Sequence, residues 1–97
     1  MPKAYWVGCY RKISDQAALA EYAKLAGPAI IAGGGRFLAR GGVAKVFEAG
    51  VSERTVLIEF DSVEQAEKTY TSAAYMAAVA KIAGTVERDI RIVESVA

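Results

Sequence analysis

Six polar residues of the sequence fall inside predicted strands and helices, where most side chains pack against neighbours. They are two arginines, one glutamate and three hydroxyl-bearing residues: Arg36, Arg40, Glu59, Tyr70, Ser72 and Tyr75. Buried charges and hydroxyls need hydrogen-bond partners. One of the arginines could hold an anionic or enolic ligand, because a planar guanidinium binds a carboxylate through two parallel N–H groups.

Such a ligand would lie in a pocket between the sheet and the helices. The aromatic side chains that could form its walls are Trp6, Tyr22, Tyr70 and Tyr75. Arginine is too basic to shuttle protons, so Glu59 or a tyrosine would have to do acid–base work. Core packing is the simpler interpretation of each tyrosine, and the sequence leaves both interpretations open.

Regular alternation along the predicted second strand places Arg36 and Arg40 on one side of it. Glu59 lies in the third strand, which is expected to neighbour the second. An ion pair between an arginine and Glu59 is therefore predicted, close to the dimer core or to the mouth of the pocket. This pair could be purely structural or could belong to a binding site.

Missing residue types exclude several chemistries. The chain has no histidine and a single cysteine, Cys9, so it lacks Cys–His and Ser–His nucleophile pairs and imidazole metal ligands. Cys9 lies in an apolar run, which predicts a buried thiol. Glycines 33–35 follow a helix and precede a strand, the reverse of a phosphate-binding loop. We therefore expect neither a metal nor a cofactor.

The composition predicts one small domain over residues 1–97. Twelve basic and eleven acidic residues nearly cancel, so bulk charge does not attract nucleic acid. No stretch reaches the roughly twenty apolar residues of a membrane span. We expect a cytoplasmic protein with no nucleic-acid and no membrane partner.

The elements that must position the polar residues follow from the hydrophobic pattern. β-Branched and alternating runs predict four strands: residues 3–10, 36–40 with a ragged extension over 43–49, 54–60 and 89–96. Two helices fill the long intervals between strands one and two and between strands three and four.

Helix boundaries are indicated by capping residues. Ser14 or Asp15 can cap the first helix, which the pair at 27–28, Gly-Pro, should interrupt. Ser62 and Gln65 match a capping box for the second. The resulting β-α-β-β-α-β order predicts a ferredoxin-like α+β fold, with two helices on one face of a four-stranded antiparallel sheet of order 4-1-3-2.

The other face of this sheet is predicted to be apolar as well. In the first strand Trp6 and Val7 point to opposite faces, and in the third Leu57 and Ile58 do the same. Two helices can cover only one face. We therefore predict a homodimer joined sheet to sheet through the open face.

Four strings carry a family resemblance: Tyr5-Trp6-Val7, residues 34–42, residues 53–60, and Tyr70-x-Ser72-x-x-Tyr75. Their combination resembles the uncharacterised family known as domain of unknown function 1330, over nearly the whole chain. The resemblance implies a dimeric α+β barrel, a scaffold also used by cofactor-free monooxygenases, stress-responsive barrel proteins and muconolactone isomerase-like enzymes. It implies no particular reaction.

Three function classes stay open. The first is a small-molecule-binding barrel resembling a cofactor-independent oxygenase or isomerase, which predicts a closed pocket lined by Arg36, Glu59 and tyrosines. The second is a non-enzymatic dimeric scaffold or stress-associated protein, in which the charged residues form interface ion pairs. The third, an RNA-binding sheet, is disfavoured because the third strand lacks the stacked aromatics that such sheets present.

Overall fold

The computed structural model describes residues 2–96 of the chain. Its elements follow the order β-α-β-β-α-α-β, and a 3-10 turn at Ala80–Ile82 precedes the last strand. The elements are β1 (Ala4–Ile13), α1 (Gln16–Ala32), β2 (Arg36–Gly41), β3 (Thr55–Phe60), α2 (Val63–Tyr70), α3 (Ala73–Val79) and β4 (Val86–Glu94). Within the same residues, no helix is both long and apolar enough to cross a membrane.

The four strands form one antiparallel sheet of order β2-β3-β1-β4. This confirms the predicted strand order and the ferredoxin-like α+β fold. The helices cover one face, which we call the inner face, and the opposite one is the outer face. β1 and β2 run parallel with β3 between them, and β3 and β4 run parallel with β1 between them. Both connections must therefore cross the sheet, and both are helical.

The core lies between the inner face and the helices. Trp6 is its centre: its ring stacks on Phe60 with centroids 6.0 Å apart and meets the edge of Tyr75 at 4.9 Å. Trp6, Tyr75, Phe60 and Ile58 are the largest fully buried side chains. Aromatic pairs of this geometry contribute about 0.5–1.5 kcal/mol beyond the burial of their area.

A register shift in β2 decides which arginine reaches which face. Arg36 pairs with Glu59 on the outer face, the register shifts after Phe37, and Arg40 then pairs with Val56 on the inner face. The prediction that both arginines share one side is therefore wrong. An extra residue in a bulged strand reverses the alternation of every side chain beyond it.

The first helix begins as predicted and ends later than its proline suggests. Asp15 caps it by accepting a hydrogen bond from the amide of Ala18 at 3.0 Å. It then runs through Pro28 to Ala32 without a break, so the predicted interruption is wrong. Pro28 is exposed, whereas Ala26 and Ile30 are buried on either side of it. Their packing outweighs the backbone hydrogen bond that proline cannot make.

The predicted capping box of the second helix forms only in part. Ser62 accepts the amide hydrogen of Gln65 at 3.1 Å, but the Gln65 side chain donates to the carbonyl of Gly33 at 2.8 Å and thereby ties α2 to the end of α1. The predicted single helix is also divided. Ser72 starts α3 by accepting from the amide of Tyr75 at 3.2 Å.

Two strand predictions and one burial prediction are corrected. β4 begins at Val86, three residues before the predicted start, because it pairs with the end of β1 at Ile13. Residues 43–49 form an exposed loop instead of an extension of β2. Cys9 is exposed, not buried, because it lies on the outer face opposite Thr55 and Asp89.

Candidate functional site

A cleft opens between the inner face of the sheet and α1, and all four strands contribute to it. We call it the arginine–tyrosine cleft. Gly8 lies on its floor. The polar and aromatic residues of its lining are Trp6, Tyr10, Tyr22, Phe37, Arg40, Arg54 and Arg88. Apolar side chains of α1, β3 and β4 complete the walls.

Strand pairing brings the cleft arginines together from distant parts of the chain. Arg88 of β4 lies directly opposite Tyr10 of β1. On the other side of β1, the amide of Tyr10 donates to the carbonyl of Arg54 at 2.9 Å. Arg40 lies one row further along, opposite Val56. Two arginines therefore flank Tyr10, and a third stands beside them on β2.

Arginines of the outer face are neutralised by carboxylates. Arg36 binds Glu59 at 3.0 Å, and Arg11 and Arg91 bind Asp89 at 3.2 and 2.9 Å. The predicted pair between an arginine and Glu59 thus forms, with Arg36 as its basic member. It lies on the face of the sheet away from the cleft, so the predicted pocket lined by Arg36 and Glu59 is wrong.

The cleft arginines show the opposite pattern. Within residues 2–96, no ion pair joins Arg40, Arg54 or Arg88 to a carboxylate, and no aspartate or glutamate lines the cleft. The guanidiniums rest on aromatic rings instead: Cζ of Arg40 is 4.3 Å from the centroid of Phe37, and Cζ of Arg88 is 5.0 Å from that of Tyr22. The cleft therefore carries uncompensated positive charge.

Arg88 anchors a buried hydrogen-bond network at the inner end of the cleft. Its Nη1 donates to the hydroxyls of Tyr22 and Tyr75 at 3.0 and 3.2 Å. The two hydroxyls are 2.6 Å apart, and either can be the donor. Only Tyr22 lines the cleft. With Tyr75 donating to Tyr22, the Tyr22 proton is free to donate to a bound ligand.

Burial keeps the phenols of this network protonated. It raises the pKa values of Tyr10, Tyr22 and Tyr75, and the positive charge of Arg88 offsets this only in part. For Arg88 itself burial opposes the charge, but Tyr22 and Tyr75 more than compensate and raise its pKa. At neutral pH the network thus consists of a cation and neutral hydroxyls, which suits hydrogen-bond donation better than proton abstraction.

The indole N–H of Trp6 adds another donor. A Cβ at Gly8 would lie 3.9 Å from Nε1 of Trp6 and 3.3 Å from Cδ1 of Ile90, so the indole nitrogen borders the space that the glycine leaves open. Every fully buried side-chain nitrogen or oxygen within residues 2–96 has a partner. The Trp6 nitrogen makes no such hydrogen bond, so it is not fully buried, and Trp6 lines the cleft.

The cleft is narrow with its arginines in their present positions. The space between its walls, solvent at the mouth included, is about 400 Å³, of which only about 30 Å³ can hold the centre of a water molecule. That is room for one or two waters. Arg40 is exposed and rests on Phe37, so admission of a larger ligand requires side chains of the cleft to move.

The residues predicted to bind a ligand divide into three groups. Trp6, Tyr22 and Arg40 line the cleft. Tyr75 does not line the cleft but hydrogen-bonds to Tyr22. Tyr70 packs against Trp6 and Tyr75, with ring centroids 5.3 and 5.1 Å apart. The others lie elsewhere: Ser72 caps α3, and Arg36 and Glu59 pair on the outer face.

The sequence prediction missed the polar cleft residues Tyr10, Arg54 and Arg88, and also the aromatic Phe37. A signal for Arg88 does exist: Arg88, Ile90 and Ile92 alternate along β4, so one arginine interrupts an apolar face. The predicted strand began at residue 89 and left this alternation unseen. Arg54 stands just before β3, where an arginine is ordinarily a solvent-exposed flanking residue.

Residues 3–96 match the sequence model of a protein family described as "Domain of unknown function (DUF1330)". Among curated proteins, none matches this chain. Similar solved structures share the fold at low sequence identity.

Three of these structures illustrate the likeness. A protein of unknown function from Rhodopseudomonas palustris superposes with a TM-score of 0.77 at 15% identity, covering 99% of this chain and 84% of that one. A dimeric ferredoxin-like protein of unknown function from Thermobifida fusca gives 0.68 at 18%, covering 97% and 92%. SnoaB, a cofactor-independent oxygenase from Streptomyces nogalater, gives 0.63 at 7%, covering 98% and 94%.

Proposed function

The chain belongs to the DUF1330 family, and from that premise and the geometry of the cleft we propose that it binds a small organic anion, a carboxylate or an enolate, in the arginine–tyrosine cleft. One observation carries the proposal. Arg40, Arg54 and Arg88 converge on a cleft without a carboxylate, whereas the arginines of the outer face are all paired. Arginines without a carboxylate partner favour an anionic ligand, and Arg54 and Arg88 are also partly buried.

An enolisable aromatic ligand would make this binding site a catalyst that needs no cofactor. The donors around Trp6, Tyr22 and Arg88 stabilise an enolate and so favour ionisation of the bound enol, whose proton passes to water. An electron-rich enolate reacts directly with O₂. In the overall reaction one activated methylene group and one O₂ give one ketone and one water. The likeness to a cofactor-independent oxygenase supports this chemistry.

Binding of benzoate, measured by isothermal titration calorimetry, tests the anion site. We expect Arg88→Gln to weaken binding at least tenfold, because a hydrogen bond to a charged group contributes about 1.5–3 kcal/mol. Arg91→Gln is the matched control: it removes an arginine from the same strand but from the outer face, and it should leave the affinity unchanged. Equal losses in the two variants, or no binding to the wild type, would overturn the proposal.

Oxygen uptake with anthrone, an enolisable aromatic ketone, tests the catalytic step. We expect the wild type to consume one O₂ for each anthraquinone formed and Arg88→Gln to lose most of this activity. Uptake that does not exceed the uncatalysed rate, together with intact benzoate binding, would leave an anion-binding protein and overturn the oxygenase-like role.

We also propose that the protein is a homodimer formed through the outer face. No helix within residues 2–96 covers that face, although Tyr5, Val7 and Leu57 lie side by side on it. Arg36 and Glu59 at one edge, with Arg91 and Asp89 at the other, supply both charge signs for a self-complementary contact. The dimeric description of the Thermobifida fusca structure supports a second copy as the occupant.

A further inference from the structure

Two cleft arginines share a single aromatic ring. Cζ of Arg88 lies 5.6 Å and Cζ of Arg54 6.0 Å from the centroid of Tyr10. They come from the two segments that flank β1: Arg88 from β4 and Arg54 from the residue just before β3. Each contact is a cation–π interaction, but the two cations repel each other, and no carboxylate lies between them.

The arginines at the inner end of the cleft and at its mouth differ in the hydrogen bonds that they make. Arg88 at the inner end donates to the hydroxyls of Tyr22 and Tyr75. Arg54 and Arg40 stand at the two ends of the exposed loop 42–53, which joins β2 to β3. Within residues 2–96 their guanidiniums contact the rings of Tyr10 and Phe37 and make no ion pair.

From this arrangement we propose that the preferred ligand of the cleft is a flat aromatic dianion, with one acidic group bound by Arg88 and Tyr22 and the second bound at the mouth by Arg54, assisted by Arg40. This inference rests on the proposed function and specifies its ligand. A monoanion at the inner end would leave the two mouth arginines uncompensated. The buried ring of Tyr10 contacts both Arg88 and Arg54. In a cleft lined by aromatic side chains, a flat ligand can place one acidic group at each guanidinium.

Three related probes distinguish the effect of a second negative charge on the ligand from the effect of ligand size. Isophthalate carries two carboxylates in a 1,3 arrangement, 3-carbamoylbenzoate replaces one of them by a neutral amide, and benzoate lacks the second group. Calorimetry should show isophthalate binding at least tenfold tighter than 3-carbamoylbenzoate. If benzoate binds but isophthalate binds no tighter than 3-carbamoylbenzoate, the dianion preference is wrong and the anion site stands. If none of the three binds, both proposals fail.

Variants at the mouth identify the second binding group. Arg54→Gln should bring isophthalate to the affinity of 3-carbamoylbenzoate, and Arg54→Lys should retain part of the preference. Lys45→Gln removes a positive charge from the same loop without touching the cleft, so it should change nothing. A loss of preference in Lys45→Gln equal to that in Arg54→Gln would show bulk attraction and overturn the assignment. Melting temperatures confirm that each variant is folded.

Discussion

The hydroxyls of Tyr22 and Tyr75 are 2.6 Å apart, although 53 residues separate them in the chain. Nη1 of Arg88 donates to both. This contact joins α1, α3 and β4 at the inner end of the cleft, so one network stabilises the fold and lies at the proposed ligand site.

Removing either hydroxyl should cost stability. Tyr75→Phe leaves Arg88 and Tyr22 with one partner fewer, and we expect the free energy of unfolding to fall by about 1–2 kcal/mol in urea denaturation. Tyr22→Phe should have a similar effect. Because the hydroxyls share one network, the double variant should lose less than the two single losses combined. Additive losses would show that the hydroxyls act independently.

Stability should decline at alkaline pH. Burial raises the pKa values of Tyr10, Tyr22 and Tyr75 in the folded protein, whereas an unfolded tyrosine titrates near pH 10. Above about pH 10 the unfolded chain releases these protons first, so the free energy of unfolding falls as the pH rises. Below that pH these groups contribute no pH dependence.

Phenolate absorbance measures the same linkage directly. At pH 11 the native protein should show fewer ionised tyrosines than the protein in concentrated urea. Tyr22→Phe should flatten the decline of stability between pH 10 and 12. An unchanged decline in this variant would assign the effect to other groups.

Gly8→Ala should separate binding from folding. Its Cβ would meet Cδ1 of Ile90 at 3.3 Å, a contact that a small side-chain shift relieves, but it would occupy the floor of the cleft beside Trp6. We expect stability to change by less than about 1 kcal/mol and benzoate affinity to fall at least tenfold. Gly35→Ala is the contrast: its Cβ would lie 2.6 Å from Cγ2 of Ile30 and 2.8 Å from Cζ of Phe60, so it should destabilise the core.

Arg36→Gln should leave ligand binding in the cleft unchanged. Arg36 pairs with Glu59 and Asp61 on the outer face, with the sheet between it and the cleft. Its side chain is 44% exposed, and an exposed ion pair contributes little to stability. Calorimetry with benzoate should give the wild-type affinity. A tenfold loss would return Arg36 to the binding site that the sequence alone suggested.

Leu57→Lys should produce a monomer. Leu57 lies in the middle of the outer face, opposite Val7, so a charge there would be buried in a sheet-to-sheet dimer. Sedimentation velocity should give a dimer for the wild type and a monomer for the variant. Lys45→Gln, which alters the exposed loop, should remain dimeric.

The thiol of Cys9 reports the same assembly independently. Cys9 is exposed on the outer face of the protomer, so dimerisation should slow its reaction with a thiol reagent. The rate should fall as the protein concentration rises, and Leu57→Lys should react fast at every concentration. A fast, concentration-independent rate in the wild type would contradict the proposed interface.

The sequence by itself determined the strand order, the cap at Ser62 and the family, and it restricted the first cap to Ser14 or Asp15. These depend on local preferences: alternation, turn residues and capping side chains act on neighbours within a few positions. The candidate site was only partly predictable for the same reason. Trp6, Tyr22 and Arg40 were predicted as ligand-binding residues and line the cleft, but their grouping with Arg36 and Glu59 assumed an unbroken alternation in β2.

Only the tertiary structure decided which charges meet. The register shift after Phe37 sends Arg36 outward and Arg40 inward, and the pairing of β4 with β1 brings Arg88 opposite Tyr10. Both depend on the energy of pairing whole strands and filling one core, to which residues far apart in the chain contribute together. The ion pairs of the outer face and the unpaired arginines of the cleft follow from that choice.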